Sequence, residues 1–232
     1  MEVYHLLNQL RADDAKFYSN PEILWRISRA LYVMSQNDLF SKSICEEMIQ
    51  EAYRLIRFAL SVKDDNAEVH KWNAILIDST AGYLGIYTRI RVIPDVKKHL
   101  LHAAELKPSD VTTLYMLGHL CYQLASLTWF QRKLANLLLM SPPCATYEEA
   151  YNYFLMVEKL QPRFSISNTF MLGKVSFHMK QCYRAKYYFD IAASLPYRTE
   201  QEKKYSQEAK KLSKELHRYD VSKAALFYGW RT

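Results

Sequence analysis

Glycine and proline are scarce in this chain, five and seven among 232 residues. So few turn-formers leave little material for the reversals of an all-β fold, while abundant Leu, Ala, Lys and Glu favour helix. Cysteine is sparse too. Cys45, Cys121, Cys144 and Cys182 are scattered, form no CxxC pair, and read as buried free thiols in a reducing compartment. No secretory h-region opens the chain and no apolar run of about 18 residues occurs, so the protein is read as soluble and intracellular. It begins at Met1 and is taken as complete. GxSxG, HExxH, a Walker loop and a glycine-rich phosphate turn are all missing. The expectation is therefore a non-enzymatic protein with no cofactor and no metal.

What the chain does contain is repetition. Ala150, Phe154, Val157 and Pro162 recur in type as Ala52, Ile56, Ala59 and Asp64, and as Val96, Leu100, Ala103 and Pro108. A further copy joins Gly173 to Ala185, Phe189, Ala192 and, just after, Pro196. Offsets of four and seven put small and large apolar residues on one helix face, where the small ones admit a neighbouring helix. Proline or aspartate then ends the helix. This is a tetratricopeptide pattern. It predicts an all-α, tetratricopeptide-like helical solenoid, one domain over 1–232 with roughly eight to ten helices. Repeat pairs are expected at about 22–64, 67–108, 111–162 and 166–197, with a capping helix at 199–219.

Several boundaries follow from capping chemistry. A short helix over roughly 2–18 carries Val3, Leu6, Leu7 and Leu10, and Pro21 starts the next. Asn66 and Asp110 are N-cap candidates, and Pro94 reads as the first-turn residue of a helix running to Lys107. Gly118 and Ala150 lie 32 positions apart, against 12 between Gly173 and Ala185. The excess is an insertion at about 127–145, read as a helix from Trp129 to Met140 ended by Pro142–Pro143. Its Leu134, Leu137, Leu138 and Met140 face would serve as a lid, a dimer contact or a membrane-surface helix anchored by Arg132 and Lys133, with packing across the groove mouth favoured. The final AALFYGWRT is too apolar for a solvated end and is expected to fold back on the body or into a groove.

Charge is uneven. Residues 1–162 hold 17 Lys+Arg and 18 Asp+Glu, whereas residues 163–232 hold 14 and 6. A basic last third suggests an acidic partner, and the basic partner-binding candidates are Arg184, Lys186, Lys203, Lys204, Lys210, Lys211 and Lys214. No nucleic-acid reading motif accompanies the charge. Tyrosine is abundant, at 18 residues. With the first helix of each pair on the concave side, the groove candidates are Lys71, Trp72, Tyr115, His119, Tyr122, Phe170, Lys174, Phe177 and His178. An aromatic trough with a few cations suits a peptide segment or a phospholipid. His99, His102 and Glu105 have the spacing of a metal half-site, and Glu148–Glu149 is an acid pair. The reading preferred for these is structural: solvated histidines, and first-turn glutamates on a helix dipole.

EILWRISRALY (22–32), HKWNAILI (70–77), HAAELKPSDVTTLYMLGHLCY (102–122) and WFQRKLANLLLMSPPCATYEEAYNYF (129–154) resemble the regulator of microtubule dynamics protein family. The W–QR…PP–TYE insertion is the specific part, because ordinary tetratricopeptide repeats lack it. The resemblance implies microtubule binding and a role at the mitotic spindle, hence in chromosome segregation, for a cytoplasmic protein. Some relatives sit in mitochondrial or endoplasmic-reticulum membranes, and one binds lipid and tethers organelles. Two readings follow: a tubulin-binding adaptor that uses its basic face, or a phospholipid-binding, organelle-contact module that uses the aromatic groove. Charge favours the first.

Overall fold

The computed structural model describes residues 2–13, 19–139, 144–163 and 165–219. Among them the regular structure is helical throughout. The elements are α1 (Glu2–Asp13), α2 (Pro21–Ser35), α3 (Lys42–Val62), α4 (Ala67–Leu84), α5 (Ile86–Leu106), α6 (Val111–Ala125), α7 (Trp129–Leu138), α8 (Tyr147–Leu160), α9 (Ile166–His178), α10 (Cys182–Ser194) and α11 (Glu200–Glu215). A 3₁₀ turn, His217–Tyr219, follows. Side-chain caps start most of them. Asn66 accepts from the amides of Glu68 and Val69, and Asp110 from that of Thr113. Thr128 with Gln131, and Thr146 with Glu149, form reciprocal capping boxes. Glu149 is therefore a cap partner rather than a free acid.

The chain divides into two compact units: residues up to Pro108 with the segment from Thr128 to Pro143, and Ser109–Leu127 with the chain from Cys144 on. In the first unit α2 packs on α3, α3 on α4, and α4 on α5. Leu24, Ile27 and Leu31 of α2 interleave with Ile49, Ala52, Ile56 and Ala59 of α3. The two alanines leave no exposed surface at all. Ser28 is equally buried, and its hydroxyl donates to the Leu24 carbonyl (2.9 Å) and the Ala52 carbonyl (3.1 Å). A small polar residue thus sits at a helix contact with its hydrogen bond made. The inserted helix α7 belongs to this unit and packs on α5.

Pro94 is not a helix start. It lies inside α5, which begins eight residues earlier at Ile86. Gly85 makes the break instead: at φ 97 it reverses the chain in a single residue between α4 and α5, a conformation costly for any side chain. The carbonyl of Ile90 loses the bond Pro94 cannot donate, which the helix tolerates.

In the second unit α6 packs on α8, α8 on α9, α9 on α10, and α10 on α11. Gly118 faces the ring of Phe154, and Gly173 that of Phe189. A Cβ on either glycine would lie 2.8 or 2.6 Å from ring carbons. Ala150, Ala185 and Ala192 here, like Ala103 of the first unit, are fully buried, as the repeat pattern required. Asn168 donates from Nδ2 to the Phe154 carbonyl at 3.0 Å, tying α9 to α8. Within the segment read as a capping helix, 199–219, α11 covers Glu200–Glu215. None of the four cysteines is in a disulfide; Cys45 and Cys121 are buried as expected, whereas Cys182 is half-buried and Cys144, just before the α8 capping box, is exposed. Met140, Pro142–Pro143 and the AALFYGWRT tail lie outside the described residues.

Candidate partner-binding surfaces

Seven groove candidates belong to the second unit. α6 carries Tyr115, His119 and Tyr122, while α9 carries Phe170, Lys174, Phe177 and His178. Tyr147 of α8 stacks on the His178 ring at 4.8 Å and 10°. The Tyr122 hydroxyl meets His178 Nε2 at 3.2 Å. Lys174 Nζ lies 5.5 Å from the Phe170 ring centre and 5.9 Å from that of Tyr122, within cation–π reach, and 3.8 Å from Glu208 of α11. Burial, then the Lys174 charge, lowers the pKa of both His119 and His178, so both rings are neutral at pH 7. Burial also raises the Tyr115 pKa, with Tyr205 adding to it, so that hydroxyl stays protonated. Tyr147 is part of the cluster although sequence reasoning passed over it. Its place in the first turn of α8 gave no sign that it would reach α9. Phe170 departs from expectation. It is 1% exposed, between Phe189 and Tyr205, and belongs to the core because α9 turns that face inward.

Lys71 and Trp72 belong to the first unit, on α4. Lys71 is buried, with Nζ 2.8 Å from Glu68, which takes a second ion pair from Lys107 at 3.4 Å. Its charge is thereby neutralised. Trp72 meets Tyr32 edge to face at 5.7 Å. Nearby, His99 and His102 gain a partner that their spacing did not announce. His70 Nδ1 lies 2.8 Å from His99 Nδ1, and His70 Nε2 lies 2.6 Å from the Asp64 carbonyl. A carbonyl only accepts, so His70 Nε2 carries the proton, its Nδ1 accepts, and His99 Nδ1 donates. His102 stands edge-on to His70 at 4.5 Å and bonds Glu105 at 3.1 Å. Burial first, then the neighbouring His70, pushes the His99 pKa down to about 4. Together with Leu60, Pro94, Lys97 and Lys98 these residues line an open hollow of about 820 Å³.

The basic candidates separate by environment. Lys186 is buried and drops out of any surface. Its ammonium donates to Asp190 at 2.7 Å and to the Ser213 hydroxyl at 3.3 Å, and Ser213 in turn donates to Asp190. It is a tie between α10 and α11. Lys203 pairs with Glu200 at 3.2 Å. Arg184 is exposed, its guanidinium 5.1 Å above the Tyr151 ring. Lys204, Lys210, Lys211 and Lys214 are exposed on the side of α11 away from its buried Ala209 and Ser213. Arg163 and Lys180 add exposed cations, each at a positive φ (55 and 59) just past a helix end.

A family model for regulator of microtubule dynamics protein 1-3 matches residues 1–217. The chain belongs to this family. Regulator of microtubule dynamics protein 1 from Mus musculus is 33% identical over 211 residues, covering 91% of this chain and 68% of its own length. Protein 3 from Xenopus laevis is 35% identical over 185 residues, covering 78% and 39%. Protein 2 from Bos taurus is 31% identical over 213 residues, covering 88% and 49%. The chain thus spans at most about two thirds of these relatives' lengths. The crystal structure of yeast Tom70 aligns over 98% of this chain and 61% of its own at 13% identity, with a TM-score of 0.29, too low to speak for a shared fold. Among the described residues, no helix of this family member is long and apolar enough to cross a membrane.

Proposed function

We propose that this protein is a non-enzymatic microtubule-associated adaptor that meets the acidic surface of tubulin through the outer face of α11 and acts at the spindle. The relatives are named for microtubule dynamics, which supplies the partner class. The observation that carries the reading is the row of Lys204, Lys210, Lys211 and Lys214, exposed on one side of a helix whose other side is buried. Grouped exposed cations at the end of a chain with excess positive charge draw an acidic polymer from a distance. Each exposed charge contributes on the order of 1 kcal/mol or less, so the surface acts as a set.

Co-sedimentation with taxol-stabilised microtubules is the test. Changing the four lysines to glutamate should abolish pelleting, and added salt should weaken the wild type, since screening at about 0.15 M cuts reach to roughly 8 Å. Lys186→Gln, by contrast, should cost stability through its buried pair more than it costs binding. Wild-type binding that resists both salt and the fourfold reversal would move the contact away from α11, with the Tyr122–Tyr147–His178 cluster next in line. Fluorescently tagged protein should mark the spindle in dividing cells, and the fourfold variant should not.

A further inference from the structure

Helix α7 is inside out. Ala135 is its buried residue, and Leu134 and Leu138 are half-buried on the flanks of the same side. At 100° per residue the opposite side holds Trp129, Phe130, Lys133 and Leu137. There the three apolar side chains are 70%, 71% and 81% exposed. A surface helix normally turns that face inward. Here the helix keeps its largest apolar groups in water. A second exposed apolar group flanks the Gly85 reversal: Leu84 at the end of α4, and Ile86 and Tyr87 at the start of α5, the helix that α7 packs against.

Both groups lie in stretches of sequence free of acidic residues. No Asp or Glu occurs between Asp110 and Glu148, or between Asp78 and Asp95. Within those runs lie Arg89, Arg91, Arg132 and Lys133. Arg89 is paired with Asp78 at 2.8 Å, whereas Arg91 and Arg132 are exposed. Lys133 folds its ammonium over the Trp129 ring at 4.1 Å, so cation and aromatic ring share one patch.

We infer that α7 is a peripheral docking helix for an anionic lipid surface, with Trp129, Phe130 and Leu137 entering the headgroup boundary and Arg132 and Lys133 meeting lipid phosphates. The side chains protrude singly from a convex helix, which suits a fluid interface that closes around each of them. Aromatic, leucine and basic residues without carboxylates are the composition of helices that lie in that plane. The contact is distinct from the lysine face of α11 and needs no groove.

The test is flotation of the full chain with vesicles of phosphatidylcholine plus phosphatidylserine, and with phosphatidylcholine alone. The wild type should float with the anionic vesicles and far less with the neutral ones, and Trp fluorescence should shift to the blue. Combining Trp129→Ala, Phe130→Ala and Leu137→Ala should weaken binding roughly tenfold or more, with the melting curve unchanged because these groups are exposed. Arg132→Glu with Lys133→Glu should remove the preference for anionic lipid. The fourfold α11 lysine variant should float like the wild type, and the triple α7 variant should still pellet with microtubules. A wild type that does not float, or a triple variant that floats equally well, would overturn the proposal. So would loss of flotation in the α11 variant, which would make attraction to the vesicles a property of the cap. A triple variant that stops pelleting would assign the face to tubulin. A wild-type dimer that dissociates in the triple variant would assign it to a second copy of the chain.

Discussion

At Gly173 an added methyl group would meet the buried Phe189 ring at 2.6 Å, and at Gly118 the Phe154 ring at 2.8 Å. Helix propensity favours alanine over glycine by about 1 kcal/mol, but overpacking a core costs about 1–3 kcal/mol. Both rings are almost wholly buried, so packing wins. Gly173→Ala and Gly118→Ala should each lower the melting temperature. Gly82 is the control: nothing stands within 4 Å of its missing Cβ, so Gly82→Ala should raise the melting temperature through propensity alone. A second residue-scale prediction concerns His99. Its folded pKa of about 4 lies below the ordinary 6.5, so the unfolded chain binds the proton that the folded chain refuses. Stability contributed there is present above pH 6.5 and is lost as pH falls towards 4. His70 is lowered as well, by burial first, and adds in the same direction. Lys98 and Arg57 oppose a charge on His99 and Asp95 favours it. His99→Gln should flatten the decline in chemical-denaturation stability between pH 6.5 and 4. An unchanged slope would show that the histidine cluster does not carry it.

At the element scale, helix ends were the most legible feature and one of them misled. Asn66 and Asp110 were legible because their side-chain oxygens can satisfy amides of the first turn, and each caps its helix in the structure; Thr146, which the sequence reading did not single out, caps α8 in the same way. Thr146→Ala removes one side of a reciprocal box and should cost about 1 kcal/mol, measured by denaturant unfolding. Pro94 carried an equally clear local signal, yet α5 runs through it. A proline favours a first turn but does not forbid an interior place when packing on α4 and Val96, Leu100 and Ala103 hold the helix together. Gly85 carried the true boundary. Gly85→Ala, forced to φ 97, should destabilise by about 1–3 kcal/mol, and little change would mean the reversal relaxes. The direction in which α7 faces was not legible. Its leucine spacing suggested Leu134, Leu137 and Leu138 as one side, but packing on α5 through Ala135 leaves Leu137 outward.

For the whole molecule, one buried core among the described residues is built from α2, α3 and α4, and another from α6, α8, α9, α10 and α11. Each should respond to its own substitutions. Hydrogen exchange of Gly173→Ala should show weaker protection across α9–α11 and unchanged protection across α2–α4. Equal loss in both would mean a single cooperative core. The repeat signatures, the helical class, the insertion and the basic last third were all present in the sequence, because each rests on local spacing or simple charge sums. The family likeness was legible for the same reason, in short motifs. Tertiary structure alone decided that Phe170 and Lys186 are buried, that Lys203 is paired, and that His70 completes the histidine cluster. It also decided that α7 turns its aromatic face to water. Each of these depends on which side of a helix meets a neighbour distant in sequence, and periodicity identifies a face without saying what lies opposite it.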